Sequence, residues 1–343
     1  MDLRTLAWSD DIIRALGLEG VVLPEIVSSA ERMGEVDCAE CADCADCADA
    51  QGCRKLESIR GAAITGCVGD QQASMLGHQL QPKHVKSTYG TGCFVLMNTG
   101  TNVVESDHGL LSTVAFKLGR DAEAMYALEG AIGTAGQGIS WLRDALEMIN
   151  SSEESEMVAA SADDCQGVLF VPAHSGLLAP FWCPDARAAI LGMTYATERK
   201  HIVRAMLAAI CFQTKAVLDA MASDCGSNMD QFDHIDRIVV DGGASANSVL
   251  MQMQADVLGK RIVRAASSET TALGAAVAAG VGAGLWEKDA LQVVERGVDR
   301  AGQDEHAEFV PKRDEGAIKR HYEAWMEAVR TVMGLRIPAE SAV

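Results

Sequence analysis

Three polar turns carry side chains that could act on a small substrate, and the first of them contains an acid. In the segment Gly69-Asp70-Gln71-Gln72 the Asp70 carboxylate follows an apolar run. This is the position of an acid at the end of a buried strand, where the strand reaches a cleft. A carboxylate in that place could take a proton from a substrate hydroxyl. The same residues also suit the start of a helix, because Asp is favoured at the N-cap. The spacing leaves both interpretations open.

The two other turns are rich in glycine and hydroxyl groups. Residues 88–92, Thr-Tyr-Gly-Thr-Gly, could hold phosphate oxygens with backbone N–H groups, and Thr91 could add a hydrogen bond. Residues 241–247, Asp-Gly-Gly-Ala-Ser-Ala-Asn, could let a nucleotide approach the backbone, with Asn247 binding its base or ribose. A hairpin turn and a helix cap are the structural alternatives. Neither G-x-x-x-x-G-K-S/T nor G-x-G-x-x-G occurs, so a nucleotide site would belong to neither of those types.

A low-complexity block at about 36–57 repeats cysteine, alanine and an acid every three residues. Successive C-x-x-C steps allow a zinc interpretation. However, the block contains no histidine, and structural zinc sites separate two ligand pairs by a dozen or more residues. The eight histidines form no i, i+4 pair. We therefore expect a solvated surface insertion and no metal site.

Composition limits the classes of partner. The chain has 343 residues, with 29 Lys and Arg against 48 Asp and Glu, a net charge of −19 that repels nucleic acid. The Gly/Ala-rich apolar stretch 272–285 has 14 residues, whereas a membrane span needs about 20. The first residues are acidic and polar, unlike a signal peptide. These features predict no membrane span and a cytoplasmic location.

Strands that end at the three turns, and helices that begin there, must position these side chains. Strand patterns occur within 61–73 (as a buried strand), 88–99, 110–118, 167–171, 237–240 and 261–264. Helical spacing occurs at 126–149, 198–222, 248–258, 270–284 and 310–333. The small residues of 270–284 would let that helix pack close to a neighbour. This alternation predicts an α/β layered fold.

Together and in this order, the motifs resemble the FGGY family of carbohydrate kinases, and within it the glycerol kinases. The matching stretches are 66–77, 87–100, 106–120, 126–136, 170–187, 209–221, 240–259 and 269–280. The resemblance implies an actin/hexokinase-like fold with two RNase H-like domains and an active site between them. It makes residues 1–80 the end of the N-terminal domain, 81–335 the C-terminal, nucleotide-binding domain, and 336–343 a tail.

The resemblance also implies a reaction, the transfer of the ATP γ-phosphate to glycerol to give sn-glycerol 3-phosphate, with Mg²⁺ as cofactor. Asp70 would be the general base, Gln71 would hold a glycerol hydroxyl, and Phe94 would pack near the glycerol carbons. The nucleotide-binding residues would be Thr91, Gly136, Gly243 and Asn247. Glycerol, ATP and ADP are then the expected partners, and a homo-oligomer is a possible assembly.

Members of the family extend further at the N-terminus by most of a domain, which holds a phosphate-binding loop and the residues that grip glycerol. We therefore expect this chain alone to be impaired in phosphoryl transfer. Three alternatives stay open: a non-catalytic form that binds nucleotide or pairs with another chain, a kinase for another polyol or sugar, and a metal- or redox-responsive module centred on the cysteine block.

Overall fold

The computed structural model describes residues 1–37, 58–225, 235, 237–265, 269–286 and 307–335. All five cysteines of the low-complexity block and the predicted tail 336–343 lie outside the described residues, so the expected surface insertion stays a prediction. The strands are β1 Gly34–Glu35, β2 Ala63–Ile64, β3 Val85–Tyr89, β4 Cys93–Gly100, β5 Leu111–Phe116, β6 Met125–Ile132, β7 Leu169–Val171, β8 Ala189–Leu191, β9 Arg237–Asp241, β10 Arg261–Arg264 and β11 Ala307–Phe309. The helices are α1 Asp10–Ala15, α2 Asp70–Gly77, α3 Gly136–Asp144, α4 Glu154–Ala160, α5 Arg199–Asp224, α6 Ser248–Leu258, α7 Thr270–Gly282 and α8 Glu315–Gly334.

The chain forms two compact units. The first unit comprises residues 1–79, 114–126 and 269–303, and the second unit comprises 80–113, 127–268 and 304–343. The domain division expected from the sequence is contiguous, at residue 80, whereas both units are assembled from separate segments of the chain.

In the first unit, helices α2 and α7 pack with their backbones in close contact. A Cβ atom at Gly77 would lie 2.0 Å from the carbonyl oxygen of Thr270, and one at Gly274 would lie 1.7 Å from that of Ala73. Only glycine fits at these two crossings, because real Cβ atoms do not approach backbone oxygen so closely. The sequence prediction that the small residues of α7 permit close packing is therefore confirmed.

The second unit is built on a seven-stranded mixed sheet of order β11-β10-β9-β3-β4-β6-β5. Strands β3 and β9 are parallel, with partners from Val85 and Ile238 to Thr88 and Asp241. Strands β3 and β4 are antiparallel and joined by the turn 90–92. Because β3 and β9 run in the same direction, the turns after them lie at the same edge of the sheet.

Helix α5 is the core helix of the second unit. Apolar side chains at every fourth position, including Met206, Ile210 and Leu218, are buried, and so are most residues on its other faces. A helix that is apolar all round belongs in a protein interior. Among the described helices, α5 is the one long and apolar enough to cross a membrane, but most of that stretch is buried inside the protein.

Two side chains fix the outer parts of the second unit. The indole of Trp325 in α8 is 1% exposed and donates from Nε1 to the carbonyl oxygen of Phe170 at 2.8 Å. At the end of α5, the Asp224 carboxylate accepts from Ser106 Oγ at 2.5 Å and lies 2.6 Å from His108 Nδ1. Burial opposes ionisation of Asp224, but these hydrogen bonds outweigh it and hold its pKa below 3.8.

Two predicted elements differ from the structure. The buried strand expected within 61–73 is only the two-residue β2, and both of its residues are exposed. The helix expected over 126–149 is β6 followed by the shorter α3. Five of the eight residues 125–132 are buried and the other three are half-buried, because β6 is an inner strand of the sheet. A strand that is buried on both faces is apolar throughout, and such a run cannot be distinguished from a buried helix by periodicity.

Candidate functional site

A cavity of about 420 Å³ lies in the second unit, where the turns after β3 and β9 meet the start of α3 and α4. Its volume falls within the usual range for sites that bind small molecules and cofactors. We call it the first cavity. The residues that line it are Gly90, Thr91, Gly136, Gln137, Ile139, Ser140, Ser152, Glu153, Ser155, Glu156, Gly243, Ala244, Ala246 and Asn247.

Backbone hydrogen bonds join the turn 90–92 to the N-terminus of α3. The N–H of Gly136 donates to the carbonyl oxygen of Gly90 at 2.9 Å, and that of Gln137 donates to Thr91 at 2.9 Å. These carbonyls satisfy N–H groups that the first turn of a helix leaves without an intrahelical partner. A Cβ at Gly136 would lie 2.6 Å from the Gly90 oxygen, so this junction requires glycine.

The turn after β9 approaches the turn after β3 just as closely. Gly242 has φ of +85°, and a Cβ there would lie 2.5 Å from the carbonyl oxygen of Tyr89. The next residue, Gly243, begins a 3₁₀ turn that ends at Ala246, and a Cβ on it would meet no atom within 4 Å. Gly242 is thus required by the backbone, whereas Gly243 leaves space in the first cavity.

Three backbone N–H groups in the wall of the first cavity could bind an anion. Within the described residues, the N–H groups of Thr91, Gly243 and Ala244 make no hydrogen bond to a protein acceptor. Successive unpaired N–H groups in tight turns form concave sites for phosphate oxygens. Phosphate binding, which the sequence suggested, stays a prediction; it would use the backbone of two turns rather than a basic side chain.

Another part of the first cavity is acidic. Glu153 and Glu156 line it, and Glu156 accepts from the N–H of Ser248 at 3.1 Å. Hydrogen bonds from its own backbone N–H and from the Ser151 hydroxyl hold the pKa of Glu153 below its ordinary value. Ionised carboxylates repel phosphate and accept hydrogen bonds from hydroxyl groups. This part of the cavity therefore suits a sugar rather than a phosphate group.

Asn247 stands between these two parts and has a structural role. It is the N-cap of α6, where its Oδ1 accepts from the N–H of Leu250 at 2.8 Å, and its Nδ2 donates to Ser155 Oγ at 3.1 Å. The helix-cap alternative from the sequence is thus what the structure shows. Asn247 also lines the first cavity, and its contact with a base or ribose stays a prediction.

The residues expected to act on the acceptor lie elsewhere. Asp70 is exposed at the first position of α2 in the first unit, where Gly69 is the N-cap and the Asp70 carboxylate accepts from the N–H of Gln71 at 2.7 Å. Phe94 lies in β4 of the second unit, is 39% exposed and does not line the first cavity. Their catalytic and glycerol-binding roles stay predictions.

Several lining residues were missed from the sequence, chiefly the polar loop and helix start 152–156. Ser152, Ser155 and the two glutamates carry no motif and follow no strand, so a local pattern could not identify them. Within the described part of the chain, no three His, Cys, Asp or Glu side chains are grouped so that they could hold a metal ion. Mg²⁺ commonly needs only one or two carboxylates in addition to substrate phosphates.

Comparison with known proteins identifies the family. The model of the FGGY family of carbohydrate kinases, C-terminal domain, matches residues 85–283. A glycerol kinase of Arabidopsis thaliana is 43% identical over 339 residues, which are 98% of this chain and 60% of that protein. The chain thus spans about 60% of the length of the curated relatives it matches.

Solved structures agree with this result. The crystal structure of Plasmodium falciparum glycerol kinase with ADP superposes with a TM-score of 0.83 at 36% identity, covering 98% of this chain and 62% of that one. A ligand-bound xylulose kinase from Lactobacillus acidophilus has a TM-score of 0.77 at 16% identity, covering 98% and 63%, and supports the fold alone. The expected α/β fold of the actin/hexokinase-like sugar kinases is confirmed.

Proposed function

Since the chain belongs to the FGGY family of carbohydrate kinases, we propose that it forms the nucleotide-binding part of a glycerol kinase, which transfers the γ-phosphate of ATP to glycerol. One observation carries the proposal: the four residues expected to bind nucleotide, Thr91, Gly136, Gly243 and Asn247, all line the first cavity. They come from three separate places in the sequence: the turns 90–92 and 241–247 and the start of α3.

The first cavity favours one orientation of ATP. Its phosphates would accept hydrogen bonds from the free N–H groups of Thr91, Gly243 and Ala244. The ribose hydroxyls would donate to Glu153 or Glu156, where a phosphate group would be repelled. Hydrogen bonds between the turn 90–92 and the start of α3 make the phosphate-binding end of the first cavity rigid. Phosphoryl transfer needs such rigidity, because its catalysis depends mainly on positioning the phosphate groups.

The acceptor side of the reaction would use Asp70, Gln71 and Phe94, the residues that the family resemblance assigns to it. In this proposal the Asp70 carboxylate takes the proton of a glycerol hydroxyl as the hydroxyl oxygen attacks the γ-phosphorus and ADP leaves. Gln71 would hold a second hydroxyl, and the exposed ring of Phe94 would contact the glycerol carbons. Mg²⁺ would enter as part of MgATP, held mainly by phosphate oxygens and water, and would neutralise charge on the transferred group.

The proposal is tested on a fusion protein, in which this chain is joined to the part of the Arabidopsis thaliana glycerol kinase that the match does not cover. The assay compares different phosphate acceptors. ADP release is measured with glycerol, xylulose or gluconate as acceptor. We expect glycerol to be preferred, and Asp70→Asn to reduce turnover by about 10²–10⁴ while the affinity for ATP stays unchanged.

Asp10→Asn is the matched control, because Asp10 is likewise an exposed acid in the first turn of a helix. It should leave turnover unchanged. Full turnover in the Asp70→Asn protein would refute the role of Asp70. Equal or better use of xylulose or gluconate would refute the choice of glycerol and favour the alternative of a kinase for another sugar.

A further inference from the structure

The second unit contains another cavity, of about 210 Å³, with basic groups in its wall. We call it the second cavity. It shares no lining residue with the first cavity. The side chains that matter for its chemistry are Arg204 from α5, Arg313 and His321 from the last part of the chain, and Phe212 and Ile318 as an apolar wall.

Arg204 is a buried cation with few partners. The residue is 7% exposed, and its Nη1 donates to the carbonyl oxygen of Ala159 at 2.8 Å. Within the part of the chain that the structure describes, no carboxylate lies within 4 Å of its guanidinium. Burial, and secondarily the charge of Arg313, lowers the pKa of Arg204. A guanidinium has five N–H donors, and buried charges are ordinarily paired, so this group can accept an external anion.

Two acids, Asp164 and Asp256, also line the second cavity, but neither carboxylate lies within 4 Å of the Arg204 guanidinium. Asp256 is engaged elsewhere: its Oδ1 accepts from the N–H of Lys312 at 2.7 Å and from Gln252 Nε2 at 3.1 Å. Asp164 is exposed, and its carboxylate accepts from the N–H of Gln166 at 2.7 Å. Water screens the charge of an exposed carboxylate, and the lone pairs of Asp256 are largely occupied. Neither acid therefore pairs with the buried guanidinium of Arg204, which keeps donors available for an external anion.

Arg313 provides a second guanidinium nearer to solvent. Its side chain is 47% exposed, its Nη2 donates to the carbonyl oxygen of Asp163 at 2.7 Å, and its Nε lies 3.9 Å from Asp256 Oδ2. One buried and one half-exposed guanidinium on the same cavity form a pair suited to an oxyanion with several acceptors. Inorganic phosphate and phosphate monoesters both provide such an oxyanion.

The remaining wall sets the size and polarity of the ligand. The rings of His321 and Phe212 meet edge to face, with centroids 5.0 Å apart. Burial lowers the pKa of His321, so at neutral pH its ring is an uncharged hydrogen-bonding group. Phe212 and Ile318 add apolar surface to the wall. A small organic substituent on the phosphate would contact that surface.

We propose that the second cavity is a binding site for a phosphate group, which Arg204 holds from the interior and Arg313 holds from the mouth. Such a site is separate from the first cavity and independent of the proposed kinase activity. Both free phosphate and the ester of a small alcohol satisfy the chemistry of the two guanidinium groups.

The test is calorimetric titration of the full chain with inorganic phosphate and, separately, with glycerol 3-phosphate. We expect at least one to bind with a Kd below about 1 mM, and Arg313→Gln to weaken that binding about tenfold or more. Tighter binding of glycerol 3-phosphate would identify an ester as the ligand, and equal binding would identify the phosphate group alone. Arg204→Gln should abolish binding. If the Arg204→Gln protein does not fold, the titration of Arg313→Gln tests the proposal, because Arg313 is half-exposed and its replacement leaves the core intact.

Arg330→Gln is the matched control, because it removes an exposed arginine of α8 that pairs with Glu327. It should bind phosphate as the unaltered chain does. Gly243→Val fills the first cavity, so any binding that remains in this variant belongs to another site. The proposal is overturned if neither ligand binds, if Arg313→Gln binds as tightly as the unaltered chain, or if Gly243→Val abolishes binding, since the phosphate would then occupy the first cavity.

Discussion

Replacing Gly243 by valine would fill the first cavity without disturbing the fold around it. A Cβ at this position meets no atom within 4 Å, and φ lies outside the left-handed region, so the backbone accepts a side chain. The added methyl groups would stand beside the free N–H groups of Gly243 and Ala244. A side chain that occupies space needed by the bound nucleotide should cost about 1–3 kcal/mol of binding free energy, as overpacking does in a protein core. The Kd for ADP should therefore rise roughly five- to 150-fold.

Calorimetric titration with ADP measures this change directly, and thermal unfolding shows whether the variant keeps its stability. Gly334→Val is the matched control, because Gly334 ends α8, is exposed and also has no atom within 4 Å of its Cβ position. It should bind ADP normally. An unchanged Kd for a folded Gly243→Val protein would show that the nucleotide does not pass over this turn.

Three further substitutions test the packing described above. Gly136→Ala should destabilise the protein by about 1–3 kcal/mol, measured by urea unfolding, because the new Cβ would lie 2.6 Å from the Gly90 oxygen; unchanged stability would contradict the close junction. Trp325→Ala should cost about 3–5 kcal/mol, and a loss under 1 kcal/mol would contradict its burial. Asp224→Asn should cost about 1.5–3 kcal/mol at neutral pH, because it weakens the bonds with His108 and its neighbours. Because the pKa of Asp224 is lowered on folding, its ionisation stabilises the fold fully above about pH 3.8. This contribution disappears as the pH falls through the lower pKa of the folded state. If Asp224→Asn lowers the free energy of unfolding as much well below that pH as at neutral pH, the ionisation of Asp224 is not involved.

Elements with strong local signals could be predicted from the sequence. The hairpin β3–β4 has a glycine turn between two apolar runs, and β9 is followed by small residues and a capped helix. These signals depend on neighbouring residues only. They identified two of the turns that form the first cavity, and the parallel pairing of β3 with β9 explains why the turns meet.

Other features depend on distant parts of the chain. The run 126–132 is apolar apart from Glu129 because it lies inside the sheet, and nothing in its spacing distinguishes it from a helix. The contact of Gly274 with Ala73 joins segments about 200 residues apart. The acids of the first cavity are similarly remote from the glycine turns and become part of the site only after α4 packs against α6.

Hydrogen–deuterium exchange of the chain with and without ADP tests the central claim, that the first cavity binds the nucleotide. We expect protection to be confined to peptides that contain the turns 90–92 and 242–247 and the segments 136–140 and 152–156, which line the cavity. The free N–H groups of Thr91, Gly243 and Ala244 should slow most, because they gain acceptors. Protection restricted to the first unit, or exchange at these turns that ADP leaves unchanged at saturation, would contradict the account.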